Sequence, residues 1–159
     1  QVLVGSSMGG WIMLLAALAR RERVAGLLGL AAAPDFTDDL IHARLTPDQQ
    51  ETLRNEGAIA LPNCYGGEPY TIARALIEEG RNHKLLNRMI PLTCPVRLIH
   101  GQQDEDVPWR TSLTLAERLE AEDVEVTLVK QGGHRLSEPA DIARLTTTLD
   151  GLLETVDGA

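Results

Sequence analysis

Residues 1–10, QVLVGSSMGG, set Ser7 inside the pattern Gly5-Ser6-Ser7-Met8-Gly9, with one apolar run before it and another after it. Residues 2–5 are β-branched and aliphatic, as in a strand buried on both faces. Residues 9–22 read as a helix that begins on two glycines and closes on Arg20, Arg21 and Arg23, cations suited to the negative end of its dipole. A strand that passes into a helix through so few residues must turn sharply, and the corner residue takes a strained backbone conformation. Ser7 occupies that corner. Gly5 and Gly9 have no Cβ, so they are expected to let strand and helix approach and leave the Ser7 hydroxyl above the sheet, with the Met8 N–H aimed at any oxyanion formed there. Phosphate-binding loops use a similar glycine-rich join, but no Lys follows here.

The remaining segments extend this strand and helix alternation. Residues 24–33 read as the next buried strand, stopped by Pro34, with Asp35 placed to cap the next turn of chain. Residues 35–90 change character. Asp38, Leu40, Ile41 and Leu45, then a Thr46-Pro47-Asp48 helix start running to Glu56, then residues 71–79, suggest three modest helices, with residues 62–67 as a loop. Beyond Pro95, residues 96–100 and 124–129 read as strands, 109–119 as a helix, and 139–153 as a closing helix opened by Ser137. The order is βαβ, a helical insertion, then βαβα, which predicts an α/β fold: a parallel sheet with helices on both faces and right-handed crossovers. The expected organisation is 1–34 and 91–159 as the core and 35–90 as an inserted lid. With 159 residues there is material for one domain, and 3% aromatic residues leaves its core to aliphatic packing.

A formal net charge of −8 without a basic stripe repels phosphate backbones, so nucleic acid is not an expected partner. The longest apolar stretches, 11–19 and 24–33, are shorter than the roughly twenty residues that span a bilayer. Cys64 and Cys94 show no CxxC spacing, so neither a zinc site nor a disulfide framework is expected, and a reducing compartment fits: cytoplasmic, or mitochondrial in a eukaryote. The chain opens on Gln1 already inside a strand, which leads us to expect further chain upstream.

A serine hydroxyl needs a base within hydrogen-bond reach to become a nucleophile. His42 and His83 lie among charged neighbours at helical spacing and read as surface residues, while His100, ending a strand just before Gly101, has two readings: near the site, or, as the preferred one, packed against its neighbours. His134, in Gln131-Gly132-Gly133-His134-Arg135, comes after the last strand on a glycine-rich loop, which places it at the carboxyl end of the sheet beside Ser7. A carboxylate should orient that imidazole and stabilise its charged form. Asp104, three residues after Gly101 in His100-Gly101-Gln102-Gln103-Asp104-Glu105-Asp106-Val107-Pro108, is the candidate, and Asp106 its rival. Ser7, Asp104 and His134 run in the order Ser, Asp, His, each just after an expected parallel strand.

With these motifs the chain resembles the carboxyl-terminal half or more of an α/β-hydrolase. Through GSSMGGW, HGQQDEDVPW and GGHR it resembles more narrowly the abhydrolase-domain acyl-protein thioesterases that also act as acyl-glucuronide esterases. That resemblance implies a serine hydrolase that cleaves acyl thioesters or carboxylic esters through an acyl-serine, with no cofactor or metal. It also implies a second oxyanion donor from an upstream loop. Trp11, Leu61, Met89 and Trp109, with Ile72 and Leu76, are the expected lining of an acyl pocket. A peptidase or carbon–carbon hydrolase on the same scaffold, and a non-catalytic fragment with an incomplete oxyanion hole, are the competing readings.

Overall fold

In chain order the computed structural model, which describes residues 1–63 and 66–158, runs β1 (Val2–Ser6), α1 (Met8–Ala19), β2 (Gly26–Leu30), α2 (Pro47–Glu56), β3 (Ala58–Leu61), β4 (Tyr70–Ala73), α3 (Arg74–Asn82), β5 (Val96–Gly101), α4 (Arg110–Arg118), β6 (Val124–Val129) and α5 (Pro139–Asp157). Cys64 and Tyr65, part of the loop expected at 62–67, lie outside the described residues. The chain forms two compact units, Gln1–Pro34 with Leu85–Ala159, and Asp35–Lys84. The expected insertion, 35–90, is longer than the second unit, because residues 85–90 belong with the first; Leu85 and Ile90 are buried there.

The first unit is an α/β layer structure, with strand order β1-β2-β5-β6 and every pair parallel. Strand periodicity sorts its side chains onto two faces. On one face Leu28 and Ile99 pack with Leu136 and with Leu152 of α5, and a Cβ at Gly26 would lie 3.2 Å from Leu152 Cδ1. On the other face a Cβ at Gly29 would meet Leu98 at 2.9 Å and Met13 of α1 at 3.7 Å. His100 shares this second face by its register with Leu98, and it touches Ser112 of α4. Helices therefore cover both faces, as expected for a parallel sheet.

Several boundaries differ from those read in the sequence. α1 stops at Ala19, where Arg20 closes it by donating from Nη1 to the Ala19 carbonyl at 2.8 Å, and Arg21–Arg23 form a separate 3₁₀ turn. β2 is shorter than 24–33 because Ala31, at φ 44°, leaves the extended region. Asp35 starts the next turn through its carbonyl, which accepts from the N–H groups of Asp38 and Asp39, and Phe36 is the residue at the cap. α5 is capped at Glu138, not Ser137, and runs on to Asp157.

The second unit has its own small core of Leu45, Leu53, Ile59 and Ile77. α2 begins as read, with a capping box in which Gln49 N–H donates to Thr46 Oγ1 and Thr46 N–H donates to Gln49 Oε1. Gly57 ends it at φ 77°, a left-handed cap. The helix expected at 71–79 is β4 followed by α3, and β4 pairs antiparallel with β3. Asp38 accepts from Arg81 at 2.9 Å and from Lys84 at 3.1 Å, tying the π-helical turn Thr37–Ile41 to α3 and its end. No helix among the described residues is long and apolar enough to cross a membrane.

Candidate active site

Ser7 joins β1 to α1 with φ 52° and ψ −123°, a region that L-residues enter only under constraint. The constraint is visible in its backbone bonds: Ser7 N–H donates to the Leu30 carbonyl at 2.9 Å, and its own carbonyl accepts from Gly10 and Ala33. Gly5 is required by close approach, since a Cβ there would lie 2.4 Å from the Gly9 carbonyl oxygen. Gly9, expected to serve the same purpose, does not: its Cβ would meet nothing within 4 Å. Gly10 takes that place, because a Cβ on it would come within 2.6 Å of Ala32 Cβ. Met8 opens α1, and the N–H groups of a first helical turn have no acceptor within the helix.

Asp104 and His134 arrive on the loops that leave β5 and β6. Those loops touch backbone to backbone: a Cβ at Gly101 would fall 2.2 Å from the Gly132 carbonyl oxygen, and Gln103 N–H donates to that same oxygen at 2.9 Å. Gly132 in the GGH motif was the available sequence signal for this contact. The loops are held so that His134 Nδ1 lies 2.8 Å from Asp104 Oδ2 and His134 Nε2 lies 3.0 Å from Ser7 Oγ. The nitrogen facing the carboxylate carries the proton, so Nε2 is left to accept from the Ser7 hydroxyl.

The Asp104 carboxylate is fully buried and has four donors. Oδ1 accepts from the N–H groups of Asp106 and Val107 at 2.9 and 2.8 Å; Oδ2 accepts from His134 and from His100 Nε2 at 3.1 Å. Burial pushes its pKa up, but the hydrogen bonds from His100, His134 and Val107 outweigh burial and hold it far below the usual carboxylate range. The hydrogen bond to Asp104 raises the His134 pKa, against burial, with the charges of Asp104 and Asp106 adding to the rise. Asp106, the rival carboxylate, thus acts on His134 through space, while Asp104 makes the bond to Nδ1. Among the described residues, Asp104, Asp106 and His134 are also the group whose possible metal-ligand atoms lie within 4.8 Å of one another. A cation on His134 would have to displace one of its two bonds, since both ring nitrogens are engaged.

The structure thus brings Ser7, His134 and Asp104 together, and places the expected pocket residues less simply. Trp11 is buried in α1. Trp109 is half-buried, with the Arg110 guanidinium 4.3 Å above its ring. Leu61 packs, with Ile72, on the core of the second unit, and Leu76 is exposed. Met89 lines a cavity of about 370 Å³ with Leu18, Arg21, Leu85, Arg88, Ile90 and Pro91, a set that contains no member of the Ser7, His134 and Asp104 chain. His42 and His83 pair with Asp38 and Glu79 at helical spacing. His100, read in sequence as either near the site or packed, is both, and Ser112, buried beside it, is the contributor to the site that sequence reading missed.

Comparison with known proteins agrees with the narrower resemblance. The chain is 48% identical over 155 residues to the Mus musculus palmitoyl-protein thioesterase ABHD10, mitochondrial, covering 97% of this chain and 52% of the relative. The chain thus spans about half the length of the curated relatives it matches. A solved protein of Agrobacterium vitis, provisionally assigned as a hydrolase, superposes with a TM-score of 0.91 at 41% identity, over 95% of this chain and 60% of that one. The mouse alpha/beta hydrolase domain-containing protein 10 superposes with a TM-score of 0.87 at 46% identity, over 98% and 62%. The model of the prolyl oligopeptidase family matches residues 1–156. Matched along nearly its whole length and surrounded by α/β-hydrolases of solved structure, the chain belongs to the prolyl oligopeptidase family and has the α/β-hydrolase fold.

Proposed function

We propose that the protein containing this chain is a serine hydrolase that cleaves acyl thioesters or carboxylic esters through an acyl-serine intermediate. The observation that carries the proposal is the continuous hydrogen-bonded chain from Ser7 Oγ through His134 to Asp104, with Ser7 held at positive φ. His134 Nε2 takes the Ser7 proton as Oγ attacks the acyl carbonyl, and Asp104 stabilises the imidazolium. The Met8 N–H is one donor to the tetrahedral oxyanion; a second, from upstream chain, is part of the proposal, because loss of one such donor typically costs about a hundred- to a thousand-fold in rate. His134 then protonates the departing thiol or alcohol, and a water activated by the same imidazole releases the acid. The 35–84 unit is proposed as the lid.

The thioester substrate class is taken from the palmitoyl-protein thioesterase relatives, and so is a mitochondrial address in a eukaryotic host; the cytoplasmic expectation draws no support from them. Membership of a family described by its peptidases gives a peptidase as the second reading. The test is fluorophosphonate labelling of the intact natural protein with mapping of the adduct, beside turnover of thioesters, esters and prolyl peptides. The proposal expects the adduct on Ser7, loss of label in Ser7→Ala, and preference for acyl thioesters or esters; label on Ser6 would overturn the site, and preference for the peptides would overturn the substrate class.

A further inference from the structure

Asp104 Oδ2 is the meeting point of two Ser–His chains. One runs through His134 to Ser7; the other runs through His100, whose Nε2 lies 3.1 Å from Oδ2 and whose Nδ1 lies 2.7 Å from Ser112 Oγ. The second chain is sealed in, with His100 at 0% and Ser112 at 1% exposure, so Ser112 meets no substrate. The ring's tautomer is set by its neighbours. Nε2 faces two acceptors, Asp104 Oδ2 and the Val107 carbonyl oxygen, each at 3.1 Å, so it carries a proton. In the neutral ring Nδ1 then accepts from the Ser112 hydroxyl, which fixes the tautomer.

We propose that the buried Ser112–His100 pair is a positioning element of the site: by donating to Asp104 Oδ2 it fixes the carboxylate against His134 and limits how strongly that carboxylate holds the His134 imidazolium. The inference rests on the serine-hydrolase reading of Ser7 and His134. Its physical content is charge sharing. A carboxylate oxygen that accepts two N–H groups offers each of them less negative charge than an oxygen that accepts one. Oδ1 remains tied to the N–H groups of Asp106 and Val107, so removal of the His100 donor leaves the carboxylate in place while concentrating the charge of Oδ2 on His134. The imidazolium is then held more tightly and the base becomes neutral only at higher pH. Asp106 is the other charged group that acts on His134, and it is unchanged in every variant of the test.

The test is the pH profile of kcat/KM for the intact natural protein and its His100→Leu, His100→Gln and Ser112→Ala variants, with thermal unfolding as a control. His100→Leu removes the donor and should move the acid-side inflection up by about half a pH unit, the shift for loss of part of one charge-assisted hydrogen bond. His100→Gln places an amide N–H near the same position and should restore most of the wild-type profile. Ser112→Ala weakens the ring as a donor and should move the inflection in the same direction by a smaller amount. An unmoved inflection in a folded His100→Leu protein, or His100→Gln as displaced as His100→Leu, overturns the proposal. If His100→Leu does not fold, Ser112→Ala decides: an upward shift supports the proposal, and an unchanged inflection overturns it. Ser7→Ala in the same series keeps the two readings apart, since activity persisting there removes the serine mechanism itself, whereas its loss with unmoved inflections removes only the role of His100.

Discussion

Asp104 is the residue on which the electrostatics of the site converge, and its rival two positions on supplies the natural control. Asp104→Asn removes the acceptor that selects the His134 tautomer and should lower kcat by about three to four orders of magnitude. Asp106→Asn removes a charge that acts on His134 through space and leaves the bond from Nδ1 to Asp104 in place, so it should cost far less; the reverse ranking in steady-state kinetics would exchange their roles. The pH dependence is fixed by the directions of the two shifts. The proposed mechanism needs neutral His134, whose pKa is raised by its bond to Asp104, so kcat/KM should climb with pH through an inflection above the ordinary histidine value of 6.5. Asp104 stays ionised throughout that rise because its own pKa is held low. An inflection at or below 6.5 under chemistry-limited conditions would show that the bond does not act as described. Ser7, Asp104 and His134 were legible in the sequence because each comes after a strand on a glycine-bearing loop. For His100 the sequence left two readings, near the site or packed at its strand end, with packing preferred, since sequence order says nothing of a side chain that reaches Asp104 four residues on.

Elements are positioned by glycines, and the structure separates those that meet backbone from those that do not. Gly101→Ala would drive a Cβ into the Gly132 carbonyl and must push the Asp and His loops apart, so kcat should fall by roughly a hundredfold, the cost expected of an ångström-scale misplacement. Gly133→Ala meets nothing within 4 Å and should leave kcat within a fewfold of wild type, a contrast readable by ester turnover alone. The same distinction explains the misassigned glycine of the elbow: GSSMGG offers Gly9 and Gly10 side by side, and only three-dimensional packing tells that Gly10 faces Ala32. The hairpin β3–β4 escaped sequence reading for a different reason. AIAL and YTIA are short, eight residues separate them, and no two-residue turn signal joins them. By contrast Thr46, Pro47 and Asp48 spell a helix start that local hydrogen bonding alone can satisfy, and the structure has it there, with Gln49 completing the capping box.

At the level of the whole molecule, β1 is an edge strand with an apolar flank: Val4 is 49% exposed, and Met8 and Ile12 beside it are 48% and 54% exposed. An exposed edge of this composition templates pairing with other chains. These 159 residues expressed alone should therefore self-associate and turn over p-nitrophenyl esters far more slowly than the intact natural protein, as size-exclusion chromatography and initial rates would report. A monomeric chain within about tenfold of the intact protein's rate would contradict this. The Gly101–Gly132 contact belongs to the same scale, because it joins the ends of β5 and β6 through main chain and not through side chains. Ordering of the base and its carboxylate is then part of folding and not of each encounter with substrate, so the entropy of assembling the reacting groups is spent once in the lifetime of the molecule. On the proposed hydrolase reading, variation from turnover to turnover is left to the acyl group: how it enters, how it is held, and how soon its acid departs.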